Sequence, residues 1–138
     1  MYRDSTSKVL ISTAVSFTVI KYNPAVDIES RVLHIAHHLE LKHVDHSRLK
    51  CFRSTGSQSS AVARCYALGK LWQLALSTRA HYAIEVISEK FDRLPKEEQD
   101  KVLIHELLHI PKSFGGGFRH HDFVCRKNVE NLYKLLKQ

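Results

Sequence analysis

Cysteine is scarce in this chain: Cys51, Cys65 and Cys125 are the three among 138 residues. The number is odd and no Cys-x-x-Cys pair occurs. That leaves no ground for a disulfide framework or a cysteine-rich zinc finger, and it points to a reducing cytoplasm. A membrane-spanning segment is missing as well. The candidate run, residues 9–20, is interrupted by Ser12, Thr13, Ser16 and Thr18, is followed by no small-residue cleavage site, and is too short to cross a bilayer. A strand or buried N-terminal arm over residues 1–23 is expected instead, with no membrane association. Internal repeats and low-complexity tracts are absent, and proline is limited to Pro24, Pro95 and Pro111.

What is present suffices for one core. Hydrophobic residues make up 43% and charged residues 25%, as in an ordinary globular domain, and the length leaves no room for a second core of useful size. Lys and Arg number 21 against 14 Asp and Glu, a net charge of +7, which brings nucleic acid among the candidate partners. The charge is uneven: zero over residues 1–41, +5 over 42–70, −2 over 71–110 and +4 over 111–138. A nucleic acid would therefore bind through the basic segments 42–70 and 111–138.

Asn23-Pro24 reads as a helix cap followed by proline in the first turn. The helix then runs to about Leu41 with Ile28, Val32, Ile35 and Leu39 on one stripe. Residues 48–53 and 61–68 read as strands, joined by the Ser/Gly-rich stretch 54–60 as a plain hairpin loop. That stretch lacks the Walker spacing of a phosphate-binding loop. A short helix is expected over residues 70–76 and a strand over 81–87. Pro95 opens a helix with Glu97, Glu98 and Asp100 placed early, where the helix dipole favours anions. Pro111 ends it near Ile110. A loop with Gly115, Gly116 and Gly117 leads to a final helix from about His121 to Leu136.

The second-last helix carries His105-Glu106-Leu107-Leu108-His109, the pattern H-E-x-x-H. Residues four apart share one helix face, so both imidazoles can reach one tetrahedral metal ion, with the Glu106 carboxylate beside them to take a proton from a water the ion activates. Around this helix, Leu103, Leu107 and Ile110 share one face and Ile104 and Leu108 another. Val102, His105, Glu106 and His109 occupy what remains. A helix apolar on most sides is buried, and its few polar groups then need partners that a metal can supply. By contrast, His34, His37 and His38 fall off the apolar stripe of their helix and have no adjacent carboxylate, as on a solvated face.

A catalytic zinc needs a third protein ligand and an open position for water. His120 and His121 are both available. The last helix has an inward stripe of Cys125, Val129, Leu132 and Leu136, and one turn back along it lies His121, while His120 points away and Asp122 falls at the edge. His121 is the expected ligand, with His120 as the alternative.

At these residues the sequence resembles the zincin metallopeptidases, and more closely the small metallopeptidase-like proteins of archaea and phages. The resemblance is carried by IHELLHIPKSFGGGFRHHD (residues 104–122), RSTGSQSSAVAR (53–64), LGKLWQLAL (68–76) and YAIEVISEKFDRL (82–94), and it covers residues 24–138. It implies an α+β fold: one minimal zincin-like domain, SprT-like in its economy, with a small mixed or antiparallel sheet packed on helices that include the HExxH helix. It also implies one zinc ion on His105, His109 and His121, with Glu106 as general base and a peptide or protein as substrate. Arg119, His120 and Tyr82 are candidates for stabilising the transition state, and Asp122 is an alternative ligand. The metzincin pattern is absent, because Lys112 and Gly115 stand where its glycine and third histidine would be. The downstream glutamate of the gluzincins has no counterpart beyond Glu130. Zincins lay substrate along an edge strand beside the active helix. The strand at 82–87 would take that place, or else be a core strand with Ile84 and Val86 facing in.

Two other functions fit the composition. A metal-dependent ribonuclease of the HxxxHxxxxxH type suits a short basic chain, but such enzymes lack a glutamate after the first histidine and place their third histidine sooner. A non-catalytic zinc module binding nucleic acid would close the metal with a fourth ligand, Cys125 or Asp122.

Overall fold

The structure, a computed structural model, describes residues 19–138. The apolar run expected as an arm lies outside the described residues up to position 18. Four strands are present among the described residues: β1 (Lys21–Pro24), β2 (Leu49–Thr55), β3 (Ala63–Ala67) and β4 (Tyr82–Ile87). Five helices accompany them: α1 (Val26–His38), α2 (Lys70–Ala75), α3 (Ser88–Phe91), α4 (Lys96–Leu108) and α5 (Arg126–Leu136). The fold is a single small α+β domain. No described helix is long and apolar enough to cross a membrane.

The strands form one mixed sheet in the order β1-β2-β4-β3. β2 and β4 run parallel, with Leu49 opposite Tyr82 and Ser54 opposite Ile87. β1 pairs antiparallel with β2, and β3 antiparallel with β4. This order corrects one expectation and decides another that the sequence leaves open. Residues 54–60 do not close a hairpin, because β4 lies between β2 and β3. The link crosses the end of β4 and is held there by Ile87 N–H to the Val62 carbonyl (2.9 Å) and by Gly56 N–H to the Glu89 carboxylate (2.8 Å). Of the two places open to the strand at 82–87, edge or core, it takes the core one. Its Ile84 and Val86 are fully buried, and among the described residues the sheet edges are β1 and β3.

Pro24 also differs from expectation. It closes β1 opposite Phe52, and the helix begins only at Val26 after Ala25, whose N–H donates to the Cys51 carbonyl at 2.9 Å. Proline is tolerated at that place because an edge strand can spare one N–H. Downstream the periodicities hold. Ile28, Val32 and Ile35 of α1 are buried, and they meet Leu49 and Cys51 of β2, Ile84 and Val86 of β4, and Leu103, Ile104 and Leu107 of α4 in one core. Arg31 joins α1 to α4 by donating to Gln99 Oε1 (2.7 Å) and Asp100 Oδ1 (2.8 Å). Lys101 joins α4 to α5 through Glu130 (3.1 Å). The helix of the HExxH pattern is thus fixed on both flanks before its histidines are considered.

Candidate metal centre

α4 starts at Pro95, carries Glu97 and Glu98 in its first turn and ends at Leu108, two residues before the stretch that Pro111 holds out of helical geometry. His109 is its cap residue and keeps helical dihedrals (φ −68°, ψ −19°). The four-residue spacing therefore still stacks His105 and His109, whose ring centres are 5.1 Å apart. His43 Nε2 donates to the Ile110 carbonyl at 3.2 Å, giving this buried acceptor just past the helix cap a partner.

The glycine loop brings in the rest. Tyr82 is buried, and its hydroxyl accepts from Gly116 N–H (2.9 Å) and donates to the Gly117 carbonyl (2.8 Å). The side-chain amide of Gln73, in α2, donates to the Leu68 carbonyl (2.8 Å) and to the Gly115 carbonyl (3.0 Å). Gly116 has φ +104°, and a Cβ there would stand 2.5 Å from Gln73 Nε2 and 2.7 Å from the Leu68 carbonyl oxygen. Gly116→Ala is accordingly expected to cost about 1–3 kcal/mol from backbone strain alone. Denaturant unfolding of the metal-free protein checks this, and wild-type stability in the variant would refute it.

Two residues past these glycines, the chain returns to α4. Arg119 N–H donates to the His109 carbonyl (2.7 Å), and His109 Nδ1 donates to the Arg119 carbonyl (2.8 Å). With Nδ1 carrying the proton, Nε2 is the ring's free donor toward a metal, and its orientation is fixed from behind. His121 follows, its ring centre 5.6 Å from that of His105 and 5.1 Å from that of His109. The ligand atoms of His105, His109 and His121 all lie within 4.8 Å of one another. Three imidazoles in such a triangle suit a borderline-soft divalent ion, and a set of three protein ligands is one short of a closed tetrahedral site.

Glu106 lies between the histidines on α4 with 6% of its surface exposed, and burial pushes its carboxyl up to about 7. Burial also holds His105 below the usual imidazole range, assisted by the nearby His109 and His121 rings.

The other sequence candidates are placed differently. His120 is exposed and outside the triangle, and its carbonyl accepts from Phe123 N–H (3.1 Å) and Val124 N–H (2.9 Å). His121 joins the triangle from this turn and not from a helix. α5 begins only at Arg126, because Cys125 is extended (φ −135°, ψ 165°). Asp122 accepts from Phe123 N–H and is exposed, and the Arg119 guanidinium lies over the Phe123 ring at 3.2 Å. Tyr82 spends its hydroxyl on the glycine loop. His34, His37 and His38 are exposed on α1. In the basic segment 42–70, Arg48 is paired with Asp45 and Arg53 with Asp27 and Asp92, which holds the Asp27 carboxyl below its usual range. Gln73, His43 and the Arg119 carbonyl were not singled out in the sequence. Only Gln73 leaves a trace there, as the lone polar residue in Leu71–Leu76.

The triangle opens into a cleft of about 410 Å³ between α4 and the edge strand β3, lined by Ala63 to Tyr66 on one side and by Phe118 to His121 on the other. A second groove of about 490 Å³ continues it past His105 and Glu106, walled by Val62, Val102, Val124 and Val129. A histidine triangle beside a buried carboxylate, set under a free strand edge, is the arrangement of a metallopeptidase-type centre. The chain belongs to the family described as "Putative phage metallopeptidase", whose model matches residues 20–138. No curated protein and no solved structure matches it.

Proposed function

We propose that the chain is a zinc-dependent peptidase of the zincin type, acting in the cytoplasm on peptide or protein substrates, with residues 24–138 as its catalytic unit and residues 1–23 as an N-terminal arm. The observation that carries this reading is the convergence of His105, His109 and His121 on one point beside buried Glu106. Those three imidazoles would hold the ion. When bound, zinc supplies Lewis acidity toward a carbonyl and lowers the pKa of water.

The remaining chemistry belongs to the chain. Glu106 is the general base: a carboxyl held near neutrality by burial takes a proton from the attacking water and returns it to the leaving amine. Arg119 and its loop keep His109 in one tautomer. The free edge of β3 offers main-chain groups to a substrate laid antiparallel along it. In that direction the C-terminal part of the substrate lies over the valine-walled groove and the N-terminal part leaves past Phe118.

The test is zinc content together with cleavage of an unfolded protein. The expected result is one zinc per chain and cleavage that a chelator stops. His121→Ala loses the zinc and His120→Ala keeps it. A wild-type chain that binds no zinc when offered it, or equal loss in the two variants, refutes the assignment.

A further inference from the structure

Helix α2 is inside out. Its one buried residue is the polar Gln73, while Leu71, Trp72 and Leu74, with Leu76 just beyond, are 57–79% exposed. Soluble proteins rarely leave so many large apolar side chains together in water, and each would be stabilised by burial. The orientation is built in, because Gln73 is tied to the Leu68 and Gly115 carbonyls and cannot turn outward without losing both bonds. The helix is thereby seated on the same loop that carries Phe118 and Arg119, one wall of the histidine cleft. It also follows directly on β3, which ends at Ala67. The surroundings are basic: between Asp45 and Glu85 the sequence contains no acidic residue, Lys70 opens α2 and Arg79 follows it.

We propose that the exposed face of α2 is a docking site for an apolar, acid-containing segment of the substrate polypeptide, lying on the N-terminal side of the bond to be cut. This rests on the peptidase reading. A chain laid antiparallel along β3 leaves the cleft past Phe118, at the end of the strand from which α2 projects, so the apolar face continues the cleft. The missing acids make that face complementary to a segment bearing Asp or Glu. α2 then selects substrates by a stretch several residues away from the reacting bond, of the kind an unfolded chain exposes and a folded one hides.

Trp72 is the sole tryptophan and reports on this face directly. The probes are two tryptophan-free synthetic peptides of one composition. One has a Leu/Phe/Asp-rich half followed by an Ala/Ser/Gly half, and the other has the halves exchanged. Adding the first to the full chain carrying Glu106→Gln shifts Trp72 emission to the blue. Leu71→Ser/Leu74→Ser weakens this binding by about tenfold or more while melting stays unchanged, because both side chains are exposed. No shift, or an affinity indifferent to the double substitution, overturns the proposal. A shift that grows with protein concentration without peptide overturns it in favour of a second copy of the chain, and a shift with phosphatidylglycerol vesicles but not with peptide overturns it in favour of a lipid surface. Direction is read on the zinc-loaded wild type, which cuts the first peptide beyond its apolar half. Equal cutting of the exchanged peptide overturns the antiparallel placement. Binding of the first peptide with no cutting of either refutes the peptidase reading while leaving the docking face standing, so the two failures are told apart.

Discussion

His109→Ala is expected to abolish zinc binding and, with it, hydrolysis. In the proposed centre His109 is the donor whose direction is most firmly set, since Nδ1 is bound to the Arg119 carbonyl at 2.8 Å and the two backbones are joined at 2.7 Å. Removing a partner behind a ligand commonly costs 10–100-fold in metal affinity, so removing the ligand itself should cost more than about 100-fold. Alanine would also leave the Arg119 carbonyl without its donor and loosen the approach to His121. Metal analysis after dialysis gives the first readout. The second is thermal melting with and without added zinc: the wild type gains stability by mass action and the variant does not. A His109→Ala protein with one tightly bound zinc would end the three-histidine assignment.

Glu106→Gln separates the base from the ligands. Zinc content is expected to stay, and the hydrolytic rate to fall by about 10²–10⁴, the usual contribution of a positioned proton acceptor. A second effect appears when the metal is removed by chelation. The Glu106 carboxyl has its folded pKa raised to about 7 from an ordinary 4.5, through burial. Between those values the unfolded chain gives up its proton while the folded one keeps it, so wild-type stability falls as pH rises through the window. Below it the carboxyl is protonated in both states and nothing is lost. The cost at pH 8 is about 3 kcal/mol, and glutamine escapes it. Chelated Glu106→Gln should therefore unfold at higher denaturant than the wild type at pH 8 and at the same denaturant at pH 4. Equal midpoints at pH 8 would show that Glu106 is not strained by burial, and full activity in the variant would remove it from the mechanism.

How far these residues could be read without coordinates depends on whether a local rule governs them. Helix periodicity and two prolines delimit α4, so His105, Glu106 and His109 share a face in the structure as the pattern implied. The stripe of α5 selected His121 for a reason that does not hold. The helix starts five residues later, after an extended Cys125, and a separate turn at 120–124 carries His121 to the triangle. Strand order is a different matter. Tyr82 to Ile87 has the pattern of a strand in any position, and nothing local shows that it is inserted between β2 and β3. The Ser/Gly stretch looked like a hairpin for the same reason, since its turn chemistry is silent about a strand still to come. α2 was legible as a helix but not as an inverted one, because apolar residues are assumed to face inward unless a contact such as Gln73 with Gly115 reverses them.

The insertion of β4 also sets an order of events during synthesis. Leu49 waits for Tyr82, a partner 33 residues later, and β3 has no neighbour until the same strand arrives. Loops of that length close slowly, and both flanking strands carry unpaired edges meanwhile. The histidines come later still, and the last of them, His121, follows the loop that Tyr82 itself braces. A nascent chain therefore holds the groove wall and the apolar α2 before it holds a metal centre. The candidate metal centre thus gains its last residue only after all four described strands have been made.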